Sequence, residues 1–304
     1  MMSRRFLMLF MLQQCLVSAL AFTVKSNKES SLSTTIGRKL SGMHQSTVSD
    51  VEETTVEDVT ASDKKRQELK RLIVQLGASY DRGFAASPRV RSKMEEILSE
   101  LETLNPETNA SRNIDGPEGI MENAFSSNSM GINGDSFPGR EELSTSTSPL
   151  CGNWRMIWTT AQDVLILGAN PIVTVGAIYQ FIDPPIVTNV IDFIPRLQNL
   201  LPPSLVPNSM VRAKVTTRAS SRTKAYPNRI GLRFERVQFQ GQELLGQDVS
   251  QVLPPLGFDL PRINVPEDVG YFDVSYLDSE LLVIRQNAPG GCFVLVNVDS
   301  DTDP

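Results

Sequence analysis

From Pro149 onward, short runs of alternating apolar and polar residues follow one another without a helical pattern between them. Trp154, Met156 and Trp158 occupy every second position, so they are expected to share one face of a strand. Similar alternation recurs at residues 210–218 and 229–239, and short apolar β-branched runs occur at 186–191, 281–284 and 293–298. Many short strands separated by turn residues predict a mainly β fold, either an antiparallel sandwich or an up-and-down barrel.

Two amphipathic helices are predicted before this region. In the first, apolar residues follow helical spacing at Leu69, Leu72, Ile73, Leu76 and Tyr80. Ser62 or Asp63 is placed to cap it, and Ser87 and Pro88 have the spacing of a cap and first turn for the second. Residues 62–106 are therefore expected to form a helical hairpin.

Composition marks two further boundaries. Residues 107–148 are rich in Asn, Ser, Gly and Thr and carry no sustained apolar period, so they predict a flexible linker to a domain at 149–299. At the other end, Arg4 and Arg5 precede an apolar run and the small-residue site Ala19–Ala21, which predicts a signal peptide over residues 1–21.

The stretch 22–49 is basic, rich in Ser and poor in acids, which is typical of a transit segment exposed by cleavage before Phe22. The combination resembles the bipartite presequences of proteins imported into complex plastids. A simple secreted protein is the alternative. No later segment has the uninterrupted apolar length that spans a bilayer, so the mature protein is expected to be soluble or peripheral.

The residue types present exclude several kinds of catalytic and metal site. The single histidine, His44, falls in the predicted presequence, so the mature chain would lack a Ser-His-Asp triad and any histidine metal site. Cys151 and Cys292 cannot close a zinc site alone, and they are expected to be free thiols at opposite ends of a strand pair. A net charge of -6 argues against nucleic acid. No metal or cofactor is predicted.

Carboxylate chemistry is the remaining enzymatic possibility. Asp273, Asp278 and Glu280 are close in sequence, and paired acids can serve as general acid and base. The residues Asp278 to Glu280 also have the composition of a solvated turn. We expect the turn, and therefore no enzyme at these acids.

Several stretches resemble the plastid lipid-associated protein (PAP/fibrillin, plastoglobulin) family, in the same order along the chain. They are Tyr80–Gly83, Leu101–Pro106, Leu150–Trp154, Trp158–Thr160, Ile178–Asp183, Gly270–Leu281, Ile284–Arg285 and Phe293–Leu295. The chain departs from the family pattern in the length of 107–148, in the Pro-punctuated segment 195–207, and at Gln286, where a Gly usually follows the arginine.

The resemblance implies a lipocalin-like antiparallel β-barrel that binds or organises carotenoids, fatty acids, quinones or other apolar molecules. It implies a plastid location at thylakoids or plastoglobules, contact with a membrane or lipid-droplet surface, and no established catalytic residue. An interaction module that recruits enzymes of prenylquinone or carotenoid synthesis is the alternative function, with the helical hairpin as docking face.

Candidate binding residues follow from the same comparison. Gly152-x-Trp154 with Arg285 resembles the lipocalin arrangement in which an arginine covers the tryptophan that closes the barrel. Trp158, on the predicted face of Trp154, is a candidate for lining the ligand site. Tyr179, Tyr271 and Tyr276 are candidates for anchoring an amphipathic ligand, with ordinary packing as the alternative.

Two surface features suggest contact with lipid. The apolar residues of 193–207 are interrupted by prolines, which predicts a lid, a membrane-dipping loop or a segment packed over the barrel end. Nearby basic residues are candidates for binding anionic lipids, although a solvated strand face explains them better: Arg212, Lys214, Arg218, Arg222 and Lys224.

Overall fold

The computed structural model describes residues 56–116, 147–196, 198, 202, 208–221, 225–260, 271–287 and 290–298. The predicted presequence, most of the predicted linker, most of the segment 193–207, and Arg222 and Lys224 lie outside these residues. The chain divides into two compact units, residues 1–72 and 73–304. Within the described ranges, no helix is long and apolar enough to cross a membrane.

Two helices precede the sheet, as predicted. Helix α1 spans Val56–Ser79 and begins earlier than expected, so the predicted caps Ser62 and Asp63 lie inside it. Because no Gly or Pro occurs between residues 56 and 63, nothing in the sequence stops the helix from extending that far. Helix α2 spans Pro88–Glu102, and the Ser87 hydroxyl accepts a hydrogen bond from the Val90 N–H, which confirms the predicted cap.

The remainder is mainly strand. A short helix, α3 (Gln162–Gly168), lies between the first two strands, where the sequence predicted no helix. The strands are β1 (Gly152–Thr159), β2 (Val173–Asp183), β3 (Ile186–Pro195), β4 (Met210–Ser221), β5 (Arg229–Leu244), β6 (Gln247–Asp248), β7 (Leu256–Asp259), β8 (Tyr271–Leu277), β9 (Leu281–Gln286) and β10 (Cys292–Asn297).

Eight of these strands close into a ring of antiparallel pairs. The order is β4-β3-β2-β1-β10-β9-β8-β5, and β5 pairs back with β4. The two short strands β6 and β7 pair with the later part of β5. A mainly β, antiparallel, closed arrangement preceded by helices confirms the predicted fold class and is consistent with a lipocalin-like barrel.

Because consecutive strands of the ring are antiparallel, their connections alternate between its two ends. Strands β2 and β3, β4 and β5, and β8 and β9 are connected at one end, which we call the turn end. Strands β1 and β2, β3 and β4, β5 and β8, and β9 and β10 are connected at the other, which we call the loop end.

The segment 105–116 is folded onto the turn end. The Ser111 N–H donates to the Pro227 carbonyl at 2.9 Å, and the Ala110 N–H donates to the Asn228 side chain at 2.9 Å. Ala110 and Ile114 are buried. The first ten residues of the predicted linker, 107–116, are therefore part of the fold, because backbone hydrogen bonds to a distant turn replace the local apolar pattern that the sequence lacks.

The segment Tyr80–Gly83 fits closely against strand backbone. Gly83 has φ of 96°, and a side chain there would collide with the Thr159 carbonyl oxygen. The Arg82 guanidinium donates to the carbonyls of Gly176 and Val175, within a bulge of β2. Both residues therefore fix the connection between α1 and α2 against β1 and β2.

Two glycine variants distinguish the free-energy cost of a close contact with a strand from that of a positive φ angle. Gly290 has a similar φ of 95° but nothing within 4 Å of an added Cβ. Gly290→Ala should cost about 1 kcal/mol of unfolding free energy for its positive φ. Gly83→Ala should cost about 1–3 kcal/mol more, because the strand must shift. Urea unfolding of both variants measures the difference; equal losses would contradict the close approach.

Candidate ligand-binding interior

The two faces of the ring differ in character. Directly paired residues point to the same side of a sheet, so the register assigns each side chain to a face. Arg155, Lys214, Arg236 and Arg285 share the face on which α2 lies, and we call it the outer face. Trp154 points to the opposite, inner face, together with apolar residues of every other strand in the ring.

A bulge in β1 changes the position of Trp158. Met156 pairs with Leu295, but Trp158 pairs with Val294, so Ile157 is an extra residue. Trp158 therefore points to the outer face, where it is fully buried. The prediction that Trp158 shares a face with Trp154 is wrong. It assumed that side chains alternate strictly along the strand, and the extra residue in the bulge shifts Trp158 to the other face.

The three candidate tyrosines also point outward. Tyr179 pairs with Arg155, and Tyr271 lies with its ring 3.7 Å from the Arg229 guanidinium carbon. A second bulge, in β8, puts Tyr276 on the outer face, where its hydroxyl donates to Asp278 at 2.6 Å. Ordinary packing, the alternative considered for these residues, describes their positions better than contact with a ligand inside the ring.

Gly152 and Trp154 occupy the turn end of β1. The Trp154 indole N–H donates to the Leu150 carbonyl at 3.0 Å, and both side chains are buried. Gly152 has φ of 149° where the chain enters the strand. Trp154 therefore lies buried on the inner face at this end. That it closes the barrel there, as the lipocalin resemblance implies, stays a prediction.

Arg285 does not cover Trp154, and the predicted cation-π contact is wrong. Its guanidinium lies on the outer face and makes a bidentate pair with Glu102 at 2.7 and 3.0 Å, together with an ion pair to Glu95 at 2.7 Å. Burial disfavours the charged form, but the bonds and charges of Glu102 and Glu95 outweigh it and raise the pKa of Arg285. Arg285 therefore fastens α2 to β9.

The inner face is filled on one side and partly open on the other. Some inward apolar side chains are fully buried: Trp154, Met156, Ile182, Val187, Leu277, Leu282 and Leu295. Others point inward and yet remain partly exposed to solvent: Ile191, Val211, Val215, Leu232, Phe234, Phe272 and Phe293. Because solvent reaches inward apolar surface, the protein's own side chains do not fill the ring completely.

One polar group stands out on this inner face. Gln286 is paired with Phe272 and is 6% exposed. Its amide N–H donates to Asp163 of α3 at 3.3 Å, while its carbonyl oxygen is buried and has no hydrogen-bond partner within the described chain. Sequence reasoning noticed Gln286 only as a departure from a family pattern, and no local signal showed that its side chain points inward.

Comparison with known proteins agrees with this geometry. The family model PAP_fibrillin matches residues 136–296, more than half of the chain. The chain belongs to the PAP/fibrillin family. It is 25% identical over 275 residues to the probable plastid-lipid-associated protein 3, chloroplastic, of Oryza sativa subsp. japonica, covering 77% of this chain and 59% of that protein. The chain thus spans about 59% of that relative's length. No solved structure matches significantly.

In this PAP/fibrillin chain the two motif acids have separate structural roles. Asp273 makes a bidentate pair with Arg229 at 2.8 and 3.0 Å. Asp278 accepts hydrogen bonds from the backbone N–H groups of Glu280 and Leu281 in the turn before β9. Four strand residues lie between the two acids and separate their Cα atoms by roughly 16 Å, beyond the reach of a general acid and base acting on one bond.

The two cysteines of the described residues are free, as predicted. Cys151 precedes β1 at the turn end, whereas Cys292 begins β10 at the loop end. Burial raises the pKa of both thiols, and the charge of Asp183 adds to the effect at Cys151. Both therefore hold less thiolate at neutral pH than an ordinary cysteine.

Two of the three candidate basic residues that the structure describes in β4 form ion pairs. Arg212 forms a buried ion pair with Asp192 at 2.8 Å, and Arg218 pairs with Glu235 at 2.9 Å. The hydrogen bond from Arg218 lowers the pKa of Glu235. Contact of this strand with anionic lipid stays a prediction, and ion pairing within the sheet describes Arg212 and Arg218 better.

A double-mutant cycle tests how strongly Arg285 fastens α2. Arg285→Ala, Glu102→Ala and the double variant should give a coupling of about 1–2 kcal/mol, because the pair is bidentate and partly buried. The exposed pair Lys93 and Glu96, 3.1 Å apart, is the control and should couple by about 0.3 kcal/mol. Urea unfolding supplies the free energies; similar coupling in both cycles would contradict a special role for Arg285.

Proposed function

We propose that this PAP/fibrillin chain is a plastid lipid-associated protein that binds apolar molecules inside the ring of strands. Family membership and the plastid-lipid-associated name of its rice relative support the association with lipid. The partly exposed inward side chains carry the binding proposal, since they offer apolar surface that a ligand would remove from water. Each 100 Å² so buried contributes about 2.5 kcal/mol.

The proposal extends to place and ligand class. Carotenoids, fatty acids and quinones have the long apolar bodies that an elongated apolar interior accommodates. We place the protein at thylakoids or plastoglobules and assign its import to residues 1–49, which have the composition of a bipartite presequence.

Gln286 supplies polar selectivity in this proposal. A buried carbonyl oxygen without a partner costs free energy, which a ligand with a hydroxyl or N–H group would recover by donating to it. Asp163 orients the amide by accepting from its nitrogen. The interior should therefore prefer apolar molecules that end in a hydrogen-bond donor.

Binding can be tested by enlarging one inward side chain. Val215 points inward at the middle of β4, and its neighbour Lys214 points outward. Val215→Trp should weaken binding of the fluorescent fatty acid cis-parinaric acid by about tenfold or more, because it fills space the ligand needs. Lys214→Trp should bind like the wild type. Titration of probe fluorescence measures both.

Circular dichroism of each variant checks that the fold is kept. If the wild type fails to bind the probe, or if the folded inward and outward variants bind it equally, the interior is not the binding site.

The role of Gln286 can be tested with ligands that differ by one donor. Hexadecanol and hexadecyl methyl ether can each compete with the probe, and the wild type should prefer the alcohol by about five- to tenfold. Gln286→Met should remove this preference while keeping apolar contact. Gln180→Met, a second inward glutamine, should keep it. A preference unchanged in Gln286→Met would contradict the anchor.

A further inference from the structure

Apolar exposure is concentrated at the loop end. Of the nine large apolar side chains exposed within the described residues, seven lie on α3, at the end of β5 or on the connection from β5 to β8. We call this set the apolar rim: Ile166, Leu244, Leu245, Val252, Leu253, Leu256 and Phe258. Exposed apolar patches at one place on a surface mark contact with an apolar partner.

Leu245 occupies a position that is unfavourable for a leucine in water. It and Gly246 form the two-residue connection between β5 and β6, and they have φ of 54° and 78°. Two successive positive φ angles are typical of a type I′ turn, whose first position favours Asn, Asp or Gly. A leucine in this region is strained, and this one is also 66% exposed. Neither turn geometry nor solubility explains its presence.

Hydrogen bonds hold the turn in place. The Leu245 N–H donates to the Ser209 hydroxyl at 3.1 Å, and the Gly246 N–H donates to the Asn208 carbonyl at 2.7 Å. The turn is therefore tied to the connection between β3 and β4 at the same end of the ring. Leu245 is presented outward from a fixed backbone.

The charge of the rim restricts its partner. Residues 244–260 contain Asp248 and Asp259 and no lysine or arginine. Asp259 pairs with Arg236 of β5 at 3.4 Å, and the segment itself offers no cation to an anionic surface, whereas an uncharged apolar surface would accept it. The segment is also poor in the aromatic and arginine side chains that dominate protein interfaces, with Phe258 as its one aromatic residue.

The rim is continuous with the interior. Leu256 pairs with Phe239 and Phe258 pairs with Val237, so both point to the inner face while remaining exposed. An apolar path therefore runs from the rim to the inward side chains of β5. A ligand following it would stay in contact with apolar side chains as it entered the ring.

We propose that the apolar rim docks on the electrically neutral surface of a lipid layer, with Leu245 and Val252 inserted. The inference rests on the proposed function, because it assigns the surface through which the ring receives apolar ligands. Insertion transfers exposed apolar side chains from water to lipid, and this transfer opposes the strain at Leu245.

Leu245→Asn gives the sharpest test, because its two effects have opposite signs. Asparagine accepts positive φ, so the variant should be at least as stable to urea as the wild type. Its partition onto phosphatidylcholine vesicles, measured by sedimentation, should fall by roughly five- to tenfold, and that of Leu245→Asn/Val252→Ser should fall further. The exposed Val74 of α1 supplies the control, and Val74→Ser should bind as the wild type does.

Two further measurements separate the possible failures. Binding of cis-parinaric acid without vesicles should be the same in the rim variants, so loss of vesicle binding alone does not reflect a failed interior. Wild-type binding to neutral vesicles should be insensitive to salt, since no charge contact is involved.

Three results would overturn docking by the rim. They are absence of wild-type binding to neutral vesicles, undiminished vesicle binding by the double variant, and a change in oligomeric state with vesicle binding intact. The last would identify the rim as a contact between copies of the chain.

Discussion

Closure of the ring through β5 is the constraint on which the other features depend. Strand β5 pairs with β4 along most of its length. It pairs with β8 only at Arg229–Gly231, and beyond these residues it pairs with β7 and β6 instead. Closure satisfies backbone groups that an open sheet would expose, and it creates an inner face distinct from an outer one. Whether a side chain points into the ring or away from it is then decided by its register.

Register is also where sequence reasoning reached its limit. Alternation located β1, β4 and β5, and short apolar runs located β3, β9 and β10, because both patterns are local properties of the sequence. A bulge adds one residue to a strand, so every side chain beyond it changes face. The residue types around Ile157 and Ser275 do not predict the bulges found there. Trp158 was therefore assigned to the wrong face although its strand was recognised, and the strand that carries Tyr276 was not predicted.

Contacts between distant parts of the chain were equally hidden. The motif around Arg82 and Gly83 was visible as a family resemblance, but its function in anchoring to strand carbonyls depends on residues far along the chain. Arg285 was correctly singled out and given the wrong partner, since Glu102 is 183 residues away. A resemblance indicates that a residue matters to a fold; the contact that explains it requires the fold.

The two ends of the ring differ in hydrogen bonding and in the exposure of apolar side chains. At the turn end, Trp154 and the segment 105–116 satisfy backbone groups and bury apolar side chains, which favours a closed, rigid base. At the loop end, longer connections expose apolar surface and a strained leucine, features that lower the stability of the isolated protein in water. Stability concentrated at one end can hold the ring closed while the other end remains adapted to an apolar environment. A carrier of water-insoluble molecules, the function proposed for this chain, would need this division, because its entrance must tolerate both water and lipid.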